Sequence, residues 1–243
     1  LSCLGVLLYH VRVDLWIGWW RITSYPQEYS SFAKAMAWLS IPTPFTGYAV
    51  VLFFLISGFC IHYPNTSGSI SPNWKTYLAR RFWRIYPAYF AALLLTAGIS
   101  YLCLTLWGDK NWDVSKIFRV ATLTQNYPPG SGQFLSNPSL WTIPLEIEFY
   151  LLYPLAFLFF SSKKSFSLWI IAFAMCGLSI LLGYQGYQWL SFTALFLWPS
   201  WLLGAWIANL YRDQKLNLIK LGYLLSANGL SLGVALMSRY QNW

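Results

Sequence analysis

Four long stretches without a charged side chain constrain this chain more than any other feature of its sequence. They separate Lys34 from Lys75, Arg84 from Asp109, Lys164 from Arg212 and Lys220 from Arg239. Charged residues make up 9% of the 243 residues, whereas a soluble domain carries about 25%. A run of about 18 apolar residues is long enough to cross a bilayer. The sequence therefore predicts an integral membrane protein.

The apolar runs predict about seven transmembrane helices. The first is a shortened run that ends between positions 11 and 20, and the others are approximately 45–63, 85–107, 140–160, 166–184, 190–211 and 221–238. They should be helices, because lipid offers unpaired backbone groups no hydrogen-bond partner. Longer polar connections are expected at 21–44, 64–84 and 108–139. The predicted fold is thus an all-α, polytopic bundle.

The chain opens inside an apolar run that holds only about ten residues before its first charge, Arg12, which is half a span. We therefore expect one transmembrane domain over residues 1–243 that is incomplete at its N-terminus. Because the chain ends directly after the seventh apolar run, we expect it to be incomplete at its C-terminus as well.

Positive charge predicts the orientation of the bundle. Nine Lys and Arg, against the single acid Asp213, fall in the connections 64–84, 161–165 and 212–220. Short basic connections next to span ends face the cytoplasm, so we expect these three to be cytoplasmic. The net charge of +9 is then mainly a topology signal. It does not indicate nucleic-acid binding, because the basic residues do not share one soluble face.

The two histidines differ in their surroundings. His10 lies in the first apolar run with Asp14 four positions later, a spacing at which a carboxylate on a helix can hold one imidazole tautomer. This spacing leaves two interpretations open: a general base, or an interfacial histidine that water satisfies. His62 ends the second predicted span, and there we favour a structural role.

Ser57 and Gly58 lie in the second apolar run, and no G-x-S-x-G pattern surrounds them. This favours close helix packing over a nucleophilic serine. The four cysteines each fall in an apolar run and form no C-x-x-C pair, so we expect buried free thiols and no metal site: Cys3, Cys60, Cys103 and Cys176.

Arg81 and Arg84 stand three positions apart at the entrance of the third predicted span. On a helix this spacing places both on one face, where two guanidiniums can bind a phosphate through paired hydrogen bonds. The alternative is ordinary topology charge. Their density at a cytoplasmic span entrance favours a phosphorylated cytosolic ligand.

Glu146 and Glu148 are two carboxylates in an otherwise uncharged stretch of more than forty residues. We expect Thr142 to cap the fourth span and Pro144 to occupy its first turn, where the helix dipole favours a carboxylate. Residues two apart on a helix face nearly opposite ways. At most one of the two glutamates is therefore expected to point into the bundle.

Four motifs in this order resemble the acyltransferase 3 family of membrane acyltransferases. Leu4–His10 is similar to the family's opening helix, which ends in a histidine, and Gly47–Phe59 to its G-V-x-L-F-F-x-x-S-G-F stretch. Arg80–Pro87 resembles R-R-x-x-R-I-x-P, and Trp141–Pro154 resembles W-S-L-x-x-E-x-x-F-Y-L-x-x-P. The family's core has about ten spans, and its histidine pairs with an arginine whose position would precede the first residue here.

The resemblance implies transfer of an acyl group, often acetyl, from cytosolic acyl-coenzyme A to a sugar hydroxyl of a cell-surface or exported glycan or glycolipid. It implies a multi-pass enzyme of the bacterial inner membrane with no bound cofactor. Its partners would be the acyl-coenzyme A donor, the acceptor and the lipid bilayer.

The resemblance also implies residue roles. His10 would be the catalytic base or a transient acyl carrier, and Glu146 would support the histidine or the acceptor. Arg81 and Arg84 would bind the donor. Residues expected to support the site are Asp14, Ser57, Trp141 and Tyr150. The alternative is a non-catalytic polytopic carrier or channel, which explains the spans but not the motifs arriving together in this order.

Overall fold

The structure is a computed structural model that describes residues 19–39, 48–66, 72–108, 112–129, 137–162 and 165–215, together with residues 217, 222, 223 and 226. Within these residues the α-helices are α1 (Trp19–Ser24), α2 (Ser31–Leu39), α3 (Tyr48–His62), α4 (Trp74–Trp107), α5 (Val114–Ala121), α6 (Thr142–Ser161), α7 (Ser165–Tyr184) and α8 (Ala194–Arg212). Short 3-10 turns occur at Pro26–Glu28, Tyr63–Asn65, Pro138–Trp141 and Gln188–Phe192. The described residues contain no strand, and the predicted all-α class is confirmed.

Four helical segments are long and apolar enough to cross a membrane: Trp74–Trp107, Ser139–Ser161, Phe166–Tyr184 and Gln188–Arg212. They correspond to the predicted third to sixth spans. The predicted second span is a shorter apolar helix, Ala49–Asn65. The predicted first and seventh spans lie outside the continuous described segments, so the total of seven and the single domain over 1–243 stay predictions.

Helix α4 begins eleven residues before the predicted third span. The Asn73 side chain accepts a hydrogen bond from the Thr76 amide at 3.2 Å and so caps the helix. The predicted polar connection over 64–84 was therefore wrong for residues 74–84, which include the basic residues Arg80, Arg81 and Arg84. Charge limits which part of a helix lies in lipid, but it does not prevent Lys and Arg from extending the helix.

The other two predicted connections also contain helices. Helices α1 and α2 lie between positions 19 and 39, and α5 lies within 108–139. The first turn of α5 is capped by Asp113, whose carboxylate accepts from the Ser115 amide at 2.8 Å. A search for membrane spans does not register these helices, because with 6, 9 and 8 residues they are too short to cross a bilayer.

Two glycines bring α3 and α8 into backbone contact. A Cβ atom added at Gly58 would lie 2.0 Å from the Trp201 carbonyl oxygen, and one added at Gly204 would lie 1.8 Å from the Leu55 carbonyl oxygen. Helices approach this closely only where a side chain is missing from the interface. The predicted close helix packing is confirmed at Gly58.

Aromatic rings fill the space between α3, α6 and α8. The Phe149 ring lies 5.3 Å from that of Phe54 and stacks on that of Trp201 at 5.5 Å. Tyr153 contacts Trp201 at 5.9 Å. All four side chains are fully buried, and large buried rings contribute most to a core of this kind.

The ends predicted to face the cytoplasm lie together in the bundle. Tyr63, just after α3, contacts Tyr211 near the end of α8 at 5.7 Å between ring centroids. Trp74, at the start of α4, contacts Phe157 near the end of α6 at 5.5 Å. These ends therefore share one face of the bundle, as the charge pattern requires, and the assignment of that face to the cytoplasm stays a prediction.

His62 is buried at this same end, with 2% of its surface exposed. Its Nδ1 lies 3.1 Å from the Tyr153 hydroxyl, and its ring centroid lies 4.8 Å from that of Phe160. This environment agrees with the structural role that we favour for His62. Cys176 is buried, as predicted, whereas Cys60 is exposed and Cys103 is half-buried. The prediction of buried thiols was wrong for these two, because an apolar run also includes the positions of a helix that face lipid.

Candidate active site

A buried hydrogen bond joins two of the predicted site residues. The Ser57 hydroxyl donates to Glu146 Oε1 at 2.6 Å, and the exposed fractions of the two residues are 9% and 6%. Ser57 comes from α3 and Glu146 from the first turns of α6. This short buried hydrogen bond holds the Glu146 side chain at the interface of the two helices.

The start of α6 differs from the predicted one. Thr142 is the first residue of α6, and the residue before it, Trp141, makes no side-chain cap hydrogen bond. Asn137 instead caps the preceding 3-10 turn, where its side chain accepts from the Ser139 amide at 3.3 Å. The Thr142 hydroxyl instead donates to the Ser139 carbonyl at 3.0 Å. The 3-10 turn Pro138–Trp141 leads directly into α6, so the predicted Thr142 cap was wrong. Pro144 lies in the first turn, as predicted.

The Arg81 guanidinium lies between two tyrosine rings. Its Cζ atom is 5.5 Å from the centroid of the Tyr77 ring and 5.4 Å from that of Tyr150, within the range of a cation–π contact. Arg81 and Arg84 are both close enough to Glu146 to interact with it electrostatically. Arg81 nevertheless forms no ion pair with Glu146 at 4.0 Å or less.

A cavity of about 490 Å³ opens beside this cluster. Its polar lining consists of Asn65, Asn73, Thr76, Tyr77, Arg80, Arg81 and Arg84. The cavity is formed by the first turns of α4 and by the chain just after α3, so it lies at the end of the bundle that is predicted to be cytoplasmic. Three guanidiniums with five N–H donors each suit a ligand that carries several phosphate groups.

Arg80 and Tyr77 are cavity residues that the sequence interpretation missed. The spacing of three singled out Arg81 and Arg84, but Arg80 precedes Arg84 by four positions and Tyr77 precedes Arg81 by four. Both spacings also place side chains on one helix face. This signal was present in the sequence once residues 74–84 are taken as helical.

Trp141 and Tyr150 lie in different surroundings although one motif contains both. Tyr150 contacts Arg81, as described above. The ring centroids of Trp141 and Phe192 are 5.3 Å apart. The backbone carbonyl of Trp141 accepts a hydrogen bond from the Asn126 side chain at 2.9 Å. Trp141 thus lies at the start of α6 next to the chain before α8, and it does not line the arginine cavity. Its supporting role stays a prediction.

Glu148 faces away from Glu146 but is also satisfied inside the fold. Its Oε1 accepts from the Tyr127 hydroxyl at 2.7 Å and its Oε2 from the Ala194 amide at 2.6 Å. Burial and the neighbouring carboxylate raise the pKa of the Tyr127 phenol, so it donates at neutral pH. Of the two glutamates only Glu146 is buried. Glu148 is half-buried, and the segment around Tyr127 and the start of α8 contact it.

His10 and Asp14 lie outside the described residues, so the catalytic and supporting roles expected for them stay predictions. Three of the four motifs do lie within the described residues in large part. They supply Ser57 from α3, Arg81 and Arg84 from α4, and Glu146 from α6. The fold brings these four residues to one place.

Comparison with known proteins gives a family for this arrangement. A family described as "Acyltransferase domain" matches residues 1–243. Nodulation protein 10 of Rhizobium leguminosarum bv. viciae is 27% identical over 175 residues, which cover 60% of this chain and 45% of that protein. The chain thus spans less than half the length of this relative. No solved structure matches the chain. Because the family match extends over all 243 residues and the motifs and helices agree with it, the chain belongs to the acyltransferase 3 family of membrane acyltransferases.

Proposed function

We propose that this protein transfers an acyl group, most simply acetyl, from cytosolic acyl-coenzyme A to a sugar hydroxyl of a cell-surface or exported glycan, in a bacterial inner membrane. One observation carries the proposal. Three arginines line one cavity, and two of them, Arg81 and Arg84, lie within electrostatic range of Glu146, which Ser57 holds by a buried hydrogen bond. A cluster of cations suited to phosphate groups thus lies near a buried carboxyl group.

The arginine cavity suits the coenzyme end of the donor. Coenzyme A carries several phosphate charges, which guanidiniums bind through charge-assisted and often bidentate hydrogen bonds. The cavity volume of about 490 Å³ falls in the usual range of small-molecule sites. The phosphates would bind at Arg80, Arg81 and Arg84, and the thioester arm would extend past Tyr77 towards Glu146.

The acyl transfer itself needs an activated hydroxyl next to the thioester carbonyl. His10 would take the proton of the acceptor hydroxyl, whose oxygen then forms a bond to the carbonyl carbon while the carbon–sulfur bond breaks. The coenzyme leaves as a thiolate and takes up the proton.

Arginine replacements in the purified full-length protein test the donor site. Losing one charge-assisted contact costs about 1.5–3 kcal/mol, so Arg84→Ala should raise the apparent Kd for acetyl-coenzyme A about ten- to a hundredfold. Arg84→Lys should restore only part of the affinity, because lysine keeps the charge but not the planar fork. Arg212→Ala, an exposed arginine at the end of α8 outside the cavity, is the matched control and should bind normally.

The results separate a donor site from a purely topological role of the arginines. If Arg84 serves only to orient the chain in the membrane, the Arg84→Lys variant will bind acetyl-coenzyme A as the wild type does. Those Arg84→Ala molecules that insert into the membrane will also keep full affinity for acetyl-coenzyme A. Unchanged affinity in both variants would remove Arg84 from the donor site. A wild-type protein that neither binds nor turns over acetyl-coenzyme A would contradict the proposed donor.

A further inference from the structure

We propose that Tyr77 and Tyr150 form a tyrosine clamp that holds the Arg81 guanidinium off the Glu146 carboxylate, so that both groups remain available to substrate. Tyr77 is in this view a positioning residue for the donor, acting through Arg81. The inference rests on the proposed donor site and adds to it the reason why a cation and a carboxylate can coexist there without pairing.

The helix geometry places the four side chains opposite each other. Tyr77 and Arg81 are one turn apart on α4, and Glu146 and Tyr150 are one turn apart on α6, so each pair shares a helix face. The Arg81 guanidinium carbon lies 5.5 Å from the centre of one clamp ring and 5.4 Å from the other. One ring comes from each helix, and the cation is held between them.

An ion pair between Arg81 and Glu146 is the obvious competitor of this arrangement. Opposite charges attract strongly where little water is present, and Arg81 is already within electrostatic range of Glu146. Glu146 Oε2 is buried, and the Tyr150 hydroxyl interacts with this carboxyl group. A guanidinium would compete for the same carboxyl group, yet no ion pair forms between Arg81 and Glu146, which are both described residues.

Two contacts explain why the pair stays open. The clamp rings stabilise the guanidinium through cation–π contacts, and the Ser57 hydroxyl holds Glu146 through Oε1 at 2.6 Å. A bidentate pair with Glu146 would use the N–H donors that a phosphate needs. Keeping the two groups apart preserves the arginine for the donor and the carboxylate for the reacting end of the site.

Coenzyme A binding to the purified full-length protein tests the clamp. Tyr77→Phe keeps the ring and should bind within about twofold of wild type. Tyr77→Leu removes one ring, and the lost cation–π contact should weaken coenzyme A binding about two- to thirtyfold as Arg81 pairs with Glu146. The control Tyr86→Leu removes a ring of the same helix that stacks on Phe82 and binds the Ala121 carbonyl, and should leave affinity unchanged.

A double variant separates the clamp from simple packing. Glutamine cannot form an ion pair, so Tyr77→Leu combined with Glu146→Gln should bind coenzyme A within about twofold of Glu146→Gln alone. If the double variant stays as weak as Tyr77→Leu, the ring acts by packing and the clamp is overturned. Unchanged affinity of Tyr77→Leu overturns it as well.

Two further observations keep the test decisive. If Tyr77→Leu cannot be purified in folded form, Tyr150→Leu removes the other ring from α6 and must show the same loss and the same rescue by Glu146→Gln; loss without rescue overturns the clamp. A wild-type protein that does not bind coenzyme A contradicts the proposed function itself, whereas wild-type binding with no Tyr77 effect contradicts the clamp alone.

Discussion

Replacing Gly58 by alanine should push α3 and α8 apart and, by the same movement, disturb the candidate active site. The added methyl carbon would lie 2.0 Å from the Trp201 carbonyl oxygen, which belongs to the backbone of α8 and cannot rotate away. Bringing this contact to an ordinary 3.4 Å requires α3 and α8 to move apart by about 1.4 Å. Ser57 precedes Gly58, so this shift is large enough to break its 2.6 Å hydrogen bond to Glu146.

The size of the effect follows from two opposing contributions. Overpacking a tight interface costs about 3 kcal/mol at the upper end of the usual range, and alanine regains about 1 kcal/mol over glycine in a helix. The net loss in the free energy of unfolding is about 2 kcal/mol. For a chain of this length it lowers Tm by about 4–8 °C.

Gly98→Ala is the matched control. Gly98 lies on the exposed side of α4, and an added Cβ meets no atom within 4 Å, so the same substitution should leave Tm unchanged or raise it slightly. Thermal unfolding of the full-length variants in detergent, together with their rates of acyl transfer, measures both effects. If Gly58→Ala melts within about 1 °C of Gly98→Ala and keeps full activity, the close approach of the two helices is refuted.

Three further predictions follow from the sequence and the structure. His10→Ala in the full-length protein should lower transfer about 10²–10⁴-fold without loss of folding, and Asp14→Asn should lower it less; a variant that keeps more than about a third of the rate ends the base assignment. A cysteine at position 75 should escape labelling from outside intact cells, and one at position 116 should react; the reverse result overturns the topology. Glu148→Gln should cost about 1–3 kcal/mol of stability, seen as a lower Tm, with unchanged donor affinity; an unchanged Tm would contradict the two bonds to Tyr127 and Ala194.

The sequence by itself determined the class of the protein, four of its membrane helices and its family. Charge gaps and apolar lengths are local quantities, so the predicted fourth to sixth spans reappear in the structure with ends that differ by at most two residues, and the third reappears with the predicted end but an earlier start. The family followed from the order of four motifs, and the match over residues 1–243 confirms it. The start of α4 was misplaced because the Asn73 cap and the helical Lys and Arg residues leave no trace in hydropathy.

The sequence also named most residues of the candidate site but not their partners. Ser57, Arg81 and Glu146 were each identified from a different motif. Their meeting is a property of three helices, since Ser57 and Glu146 are 89 positions apart. No spacing rule relates residues at that separation. In contrast, the spacing of four between Tyr77 and Arg81 predicts that they share a helix face, once residues 74–84 are known to be helical.

Only the tertiary structure decided which way each side chain points and what it meets. Trp141 and Tyr150 belong to one motif, yet Trp141 packs on Phe192 and Tyr150 on Arg81. Glu148, expected to turn out of the bundle if Glu146 turns in, is bound by groups from two other segments. The physical reason is that contacts between distant elements, such as Gly58 against Trp201, set the rotation and depth of each helix. The helical period fixes the relative directions of side chains on one helix, but it does not determine which residues of other helices they contact.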